Sequence, residues 1–469
     1  MQYKFLLDLK NKQLQLIVLL LVATILAGCV TQKNGEPFTA QSSLKPLLKQ
    51  AEVILGESLQ QPKSCLSPYE EVDEIVIGAL LPLSISSAVQ AGNSMQLAID
   101  IAAEDINRNG GILSRPLRIV TYDTQGLPAV GAKMAEQLIL QDCVAAIVGV
   151  YHSRVAMAVK EVAHQYRVPV VFAEPYQDAV TADQYPEVFR IAPTIQLLTD
   201  IYLEWIETVG DYNQDGQNSV TIVADSSNFE SSNGRLLIKQ LEENEDISVD
   251  IFLVDLPRED FSSMIARIIA LDASPDLILV WFNVEAGYAF HKQLIEAGIG
   301  PQNSTLTVLR SSATDSTIFW ERVPDGLYTI VTRVGPWYST VSEMGKEFAE
   351  KYYTHSEYWP ESYAFEAYDS LRLISSAIDQ AKSLESPAII SALESIDIVL
   401  ASGRYHFPYG SNNRPEDNDV PDFMWHQWPD PHMLFMQYNI FQQDASDMSV
   451  LWPMTYRTVD TSALYIPSD

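Results

Sequence analysis

The chain is predicted to be an α/β protein with two parallel-sheet lobes, and two observations carry this. Short apolar runs alternate with amphipathic helical stretches from Glu74 onward. The alternation also restarts near residue 195, so two similar halves follow one another. A third observation is compositional. The chain has 469 residues and is 47% hydrophobic, enough for more than one core and unlike a disordered chain.

In the first half, Ile75–Leu81 is a continuous apolar run, as for a strand buried on both faces. A helix over Asn93–Asn107 stops at Asn109-Gly110-Gly111. Leu117–Tyr122 is a strand and Pro128–Leu140 a helix with proline at its start. Val144–Val148, Val168–Phe172 and Val188–Ile191 are strands, with a helix over Ser153–Tyr166. In the second half, helices over Ile195–Val209, Phe229–Glu243, Phe261–Ala270 and Glu285–Ala297 separate five strands. These are Val220–Ala224, Val249–Val254, Leu277–Phe282, Leu306–Leu309 and Leu327–Thr332. Helices follow over Val341–Tyr353, Glu361–Lys382 and Pro387–Ser395, then an aromatic, proline-rich, strand-like tail from Gly403 to Pro453.

The N-terminus reads as a lipoprotein signal peptide over residues 1–28. Lys4, Lys10 and Lys12 precede an apolar stretch from Leu14 to Leu26, which ends in Leu26-Ala27-Gly28-Cys29. This resembles the bacterial lipobox, whose cysteine becomes the lipidated first residue. The alternative is an ordinary signal peptide or short anchor that happens to hold Cys29. Residues 29–73 then form a polar, proline-bearing tether, and an acylated Cys29 would hold the chain at a membrane surface outside the cytoplasm.

Lys plus Arg number 30 against 61 Asp plus Glu, a formal charge of −31. So negative a field argues against nucleic acid as a partner. Three cysteines in so long a chain make no disulfide scaffold, and neither C-x-x-C nor H-E-x-x-H occurs. An exported location allows Cys65 and Cys143 to bridge, each near the start of a strand; two free buried thiols are the alternative.

An ordered set of segments resembles type 1 periplasmic binding proteins, in the leucine/isoleucine/valine- and amide-binding branch of ABC importer lipoproteins. Glu74 to Ser84 resembles their opening strand, and Ala98 to Ile112 the end of their first helix. Arg118 to Asp123, Val144 to Gly149, Val168 to Val171, Phe189 to Pro193 and Tyr368 to Leu371 match later segments in order. The resemblance runs from about residue 74 to 455. It implies two lobes joined by three crossing segments. Lobe 1 would be 74–193 with 334–400, lobe 2 would be 194–333 with 401–457, and 458–469 would be a tail. The cleft between them would close on a solute by hinge bending.

Ligands of open α/β sheets sit beyond the carboxyl ends of strands, so the loops there hold the candidates. From lobe 1 these are Ser84 and Ser86, with Ser87, then Tyr151, His152 and Ser153, then Glu174 and Tyr176. From lobe 2 they are Phe229, Trp281, Asn283 and Arg310. In the family, the position of Ser153 caps a ligand carboxylate or amide. Glu174 and Tyr176 replace the small residues and threonine usual there, which speaks against an ordinary branched-chain amino-acid site. Each candidate also has a structural reading. The serines would be a solvated turn, His152 a loop residue, Trp281 a core residue, and Glu174 an ion-pair member. Tyr151, Tyr176 and Trp281 would sandwich a planar or apolar ligand. Glu174 favours an amine or amide on the ligand, and an inward Arg310 favours an acid group.

Asp211-x-Asn213-x-Asp215-Gly216 matches the first half of a calcium loop, but Ile222 stands where the last acid should be. It reads as an Asn/Asp-rich turn, with a weak calcium site as the alternative; no cofactor is expected. The leading functional reading is a monomeric solute-binding lipoprotein of an ABC importer, with a small-molecule solute and permease subunits as partners. A regulator on the same fold, a ligand sensor or activator of a cell-wall synthase, is the first alternative. An exported hydrolase built on Ser153, His152 and Glu174 is the second, though no nucleophile motif supports it.

Overall fold

The computed structural model describes residues 73–86, 88–226, 234–282, 284–310 and 316–459. The lipobox, Cys29, the tether, Cys65, Ser87, Phe229 and Asn283 lie outside them. Cys143 is disulfide-bonded, and its partner lies outside the described residues.

The first sheet holds five parallel strands in the order β2-β1-β3-β4-β5. These are β1 (Ile75–Leu81), β2 (Leu117–Asp123), β3 (Ala146–Gly149), β4 (Val170–Phe172) and β5 (Val188–Arg190). Helices α1 (Val89–Arg108), α2 (Pro128–Leu140) and α3 (Ser153–Tyr166) connect the first four. β1, β3, β4 and β5 are buried along nearly their whole length and read mostly as apolar runs, whereas β2, at the sheet edge, is only half-buried and carries polar residues. Gly111, at φ +76°, ends the α1 turn. A Cβ there would lie 1.8 Å from the Arg115 carbonyl oxygen, so glycine is required.

The second sheet holds seven strands. Five are parallel: β6 (Asn218–Asp225), β7 (Ile247–Val254), β8 (Leu277–Trp281), β9 (Leu306–Arg310) and β10 (Ile330–Val334). Helices α4 (Ile195–Val209), α5 (Gly234–Glu243), α6 (Ser262–Ile269), α7 (Val284–Glu296) and α8 (Ser316–Arg322) belong to this half. Thr194 caps α4 by accepting from the Leu197 N–H at 2.9 Å. The strand expected from Leu327 begins instead at Ile330, because Tyr328 takes a left-handed turn at φ +67°. The tail supplies β13 (Met433–Gln437) and β14 (Ser449–Trp452), both antiparallel to their neighbours. A short pair, β11 (Ile398–Val399) and β12 (Arg404–Tyr405), precedes them.

Helices α9 (Glu343–Ser356), α10 (Ser362–Ala381) and α11 (Ser386–Glu394) pack with the first sheet. So does much of the segment expected in lobe 2. Tyr405, Phe407 and Trp428 are buried in the same core as β1 and α10, and their aromatic area explains why the segment sides with lobe 1.

The chain passes between the sheets three times: after β5, after β10 and before β13. The passages are bonded to one another. Arg190 N donates to His426 O at 3.0 Å, Trp428 N to Arg190 O at 2.9 Å, and Gly335 N to His432 O at 2.9 Å. Arg333 guards the second passage. It is 2% exposed and reaches Pro336 O, Pro360 O and the Glu361 carboxylate.

Candidate functional site

Three loops leave the carboxyl ends of lobe 1 strands side by side. After β1, Asp123 holds the loop. Its Oδ1 accepts from Leu83 N at 2.8 Å and Ser84 N at 3.3 Å, and its Oδ2 from the Ser84 hydroxyl. The Ser84 hydroxyl therefore braces the loop. Ser86 instead faces His152, with 3.3 Å between Oγ and Nε2. Gly126 makes this approach fit, since a Cβ there would lie 2.9 Å from both Ser86 Oγ and His152 Cε1. Ile85 and Val150 are β-branched residues at φ 62° and 65°, a strained state that both loops next to the site maintain.

After β3 come Tyr151, His152 and Ser153. The Tyr151 ring meets His152 edge-on at 5.1 Å and Tyr363 of α10 at 5.9 Å. Burial lowers the His152 pKa, and the Arg154 charge lowers it further. Its Nδ1 has no hydrogen-bond partner among the described residues. Ser153 opens α3, and its Oγ accepts from Gln177 N at 3.3 Å.

After β4 come Glu174 and Tyr176. Glu174 is 9% exposed and touches Glu366, which is 4% exposed in the second turn of α10. Burial pushes Glu174 up to about 7, against the hydrogen bonds from Glu366 and Tyr176. Burial and then the Glu174 charge hold Glu366 well above the carboxylate range. The phenols of Tyr151, Tyr176 and Tyr363 are raised by burial first, and the Glu174 charge adds to each. Tyr176 also packs against the core of lobe 2.

From lobe 2, Arg310 at the end of β9 lies over the Trp281 ring, 5.9 Å from its centroid. Its charge acts against the rise in the phenol of Tyr151, a residue of the first lobe. Trp281 is 6% exposed and is mainly a core residue, in contact with Tyr202. Glu174, Tyr151, Tyr176 and Arg310 thus share one neighbourhood. Ser86 and His152 stand beside it.

Glu366 and Tyr363 were missed in the sequence. The signal was present: Glu366 stands within Ala364-Phe365-Glu366-Ala367-Tyr368, a stretch apolar all round the helix. A charged residue there must be buried, and burial of a charge needs a reason.

The hydrolase geometry does not form. His152 meets Ser86 rather than Ser153, and the Ser153 hydroxyl is engaged by a backbone N–H. The Asp211 loop is a set of self-satisfied turns. Asp211 accepts from Asp215 N and Gly216 N at 3.0 and 2.9 Å, and Asp215 from Gln217 N at 3.0 Å. No group of three or more His, Cys, Asp or Glu among the described residues is placed to hold a metal ion.

Two α/β lobes joined by three bonded passages, with polar and aromatic residues at the strand ends, are the architecture of a two-lobed binding protein. The chain belongs to the periplasmic binding protein family, which matches residues 74–420. This is a binding fold and not an enzyme. The branched-chain amino acid substrate-binding protein LivJ from Streptococcus pneumoniae, solved with isoleucine, superposes with a TM-score of 0.59 at 19% identity. That match covers 81% of this chain and 100% of the other. An ABC transporter solute-binding protein from Rhodopseudomonas palustris, solved with 3,4-dihydroxybenzoic acid, gives 0.58 at 17% identity, covering 78% and 93%. Over 88 residues the chain is 39% identical to the chemotactic signal transduction substrate-binding protein BasB of Halobacterium salinarum, covering 19% of this chain and 21% of that protein. The chain spans about a fifth of the length of the curated relatives it matches. No helix among the described residues is long and apolar enough to cross a membrane.

Proposed function

We propose that the protein is an extracytoplasmic solute-binding lipoprotein of an ABC importer. It captures an amino acid, amide or similar small polar or aromatic solute between its lobes and passes it to a membrane permease. The observation that supports this is the electrostatic coupling of Arg310 in one lobe to Tyr151 in the other, with Glu174 acting on Tyr151 and Tyr176. Such a pocket supplies aromatic area, hydrogen-bond acceptors and one cation, which suits a small zwitterion. Closure needs only that the solute bind the closed state better than the open one. Cys29 carries the anchor in this reading, and 74–193 and 194–333 begin the two lobes.

A thermal-shift screen of the full-length chain in detergent tests it, with amino acids, short amides, and aromatic and aliphatic acids as the panel. A solute at 100 times its dissociation constant stabilises by about 2.7 kcal/mol. Ser153→Ala is expected to weaken the hit, and silence across the panel overturns the proposal. A second reading, a ligand sensor that docks to a membrane receptor, draws support from the chemotactic relative. A membrane pull-down that recovers a receptor in place of a permease would favour it.

A further inference from the structure

We infer that the solute carries a cationic amine, and that the Glu174–Glu366 pair takes up this amine in exchange for a proton. The inference rests on the solute-binding reading above and specifies the ligand class of that site.

The geometry begins with two buried carboxyl groups in contact, one from the loop after β4 and one from the second turn of α10. The Oε2 atom of each has no hydrogen-bond partner among the described residues. Neither forms an ion pair with a Lys, Arg or His there, whereas Lys351, Arg333 and Arg404 are all paired with other acids. Glu361 and Asp369, the other acids acting on the pair, add negative charge. The phenols of Tyr151, Tyr176, Tyr363 and Tyr405 also feel it. Of the cations nearby, Arg333 is already paired with Glu361, and Arg310 acts on Tyr151 from the opposite lobe.

Two carboxyls at such a distance cannot both ionise without a counter-charge, so the pair shares a proton. A carboxylate oxygen only accepts, so what this place lacks is a donor bearing positive charge. An ammonium group supplies both. A second observation points the same way. Glu366 lines a small cavity with His432, which is 4% exposed and whose Nδ1 also has no partner among the described residues. The unmet polar atoms therefore extend past the acid pair.

The exchange balances. The amine enters as an ammonium ion, the pair goes from one carboxyl and one carboxylate to two carboxylates, and the proton leaves to the buffer. No covalent bond in the ligand changes. A neutral or anionic solute would leave the pair protonated and would move no proton.

Isothermal titration calorimetry on the full-length chain tests this. The panel pairs each amine with its deaminated counterpart: leucine with 4-methyl-2-oxopentanoate, phenylalanine with phenylpyruvate, and benzylamine with benzoate; lysine and putrescine are added. Each titration is run in phosphate and in Tris, above the Glu174 midpoint of about 7, where one proton remains on the pair. Binding is expected only from amines, with about one proton released per ligand. Glu174→Gln and Glu366→Gln are expected to weaken it about tenfold or more and to abolish the buffer dependence. Equal binding of a deaminated counterpart, or identical heats in both buffers, overturns the inference and leaves the binding function standing. Binding by no panel member overturns both. The wild-type buffer comparison decides the matter even where a variant does not fold.

Discussion

Arg190 donates through Nε to the Oε1 of Gln427, and so fastens the first passage between the lobes to the third. The guanidinium also reaches Gln177 O at 2.6 Å and the Thr181 hydroxyl at 3.0 Å. Gln427 in turn donates to Ala192 O at 2.8 Å and to Trp428 O at 2.6 Å. Arg190 is fully buried, and burial brings its pKa down to about 9 against the opposing charge of Asp178. Arg190→Met strands three buried acceptors at about 1 kcal/mol or more each. We expect a loss of about 3 kcal/mol, read as a lower urea midpoint. An unchanged midpoint would mean that the passages do not depend on this side chain.

The acid pair makes stability depend on pH in a stated direction. Glu174 moves from 4.5 to about 7 on folding, so the folded chain keeps a proton that the unfolded chain releases. Its contribution is full below 4.5 and is lost as pH rises through about 7. Glu366 shifts in the same sense. Urea unfolding is expected to show a decline across that window of a few kcal/mol at most. Glu366→Gln should flatten it. A slope unaltered in both glutamine variants would place the proton elsewhere.

Much of the fold was legible because strand burial is written locally. Ile75–Leu81 and Ile195–Val209 needed only periodicity and a cap. What was not legible depends on contacts distant in the chain. The resemblance put 401–457 in the second lobe, yet Tyr405 and Trp428 bury themselves in the first core. Likewise the site loops were read from strand ends, but Glu366 arrives from a helix almost two hundred residues beyond Glu174. Ser84 had the expected position and a different task, because Asp123 claims its hydroxyl.

That task gives a separate prediction. Ser84→Ala should cost about 1 kcal/mol of stability and leave the ligand preference unchanged. Asp123→Ala should do more, because Leu83, Ser84 and Gln125 all donate backbone N–H groups to it. Thermal unfolding and a ligand panel, run side by side, separate the two effects. A changed preference in Ser84→Ala would return this residue to the binding surface.

Calcium should have no effect. The carboxylate oxygens of Asp211 and the Oδ1 atoms of Asn213 and Asp215 are already occupied by backbone N–H groups. Millimolar calcium should leave the melting temperature where an equal ionic strength of sodium chloride leaves it. A specific rise would show that these turns reopen for the ion.

Helix α10 carries more than the site. Three residues after Glu366, Asp369 accepts from Ala401 N at 2.9 Å, Ser402 N at 2.8 Å and the Tyr405 hydroxyl at 2.9 Å. The Asp369 charge also acts on Glu366. One turn of helix therefore joins the acid pair to the anchor of the returning chain. In the proposed reading, a cation taken up at the pair would alter the electrical load on that anchor before any lobe swings. A membrane partner that grips the returning segment would receive occupancy as a change of tension there, in addition to the angle between the lobes.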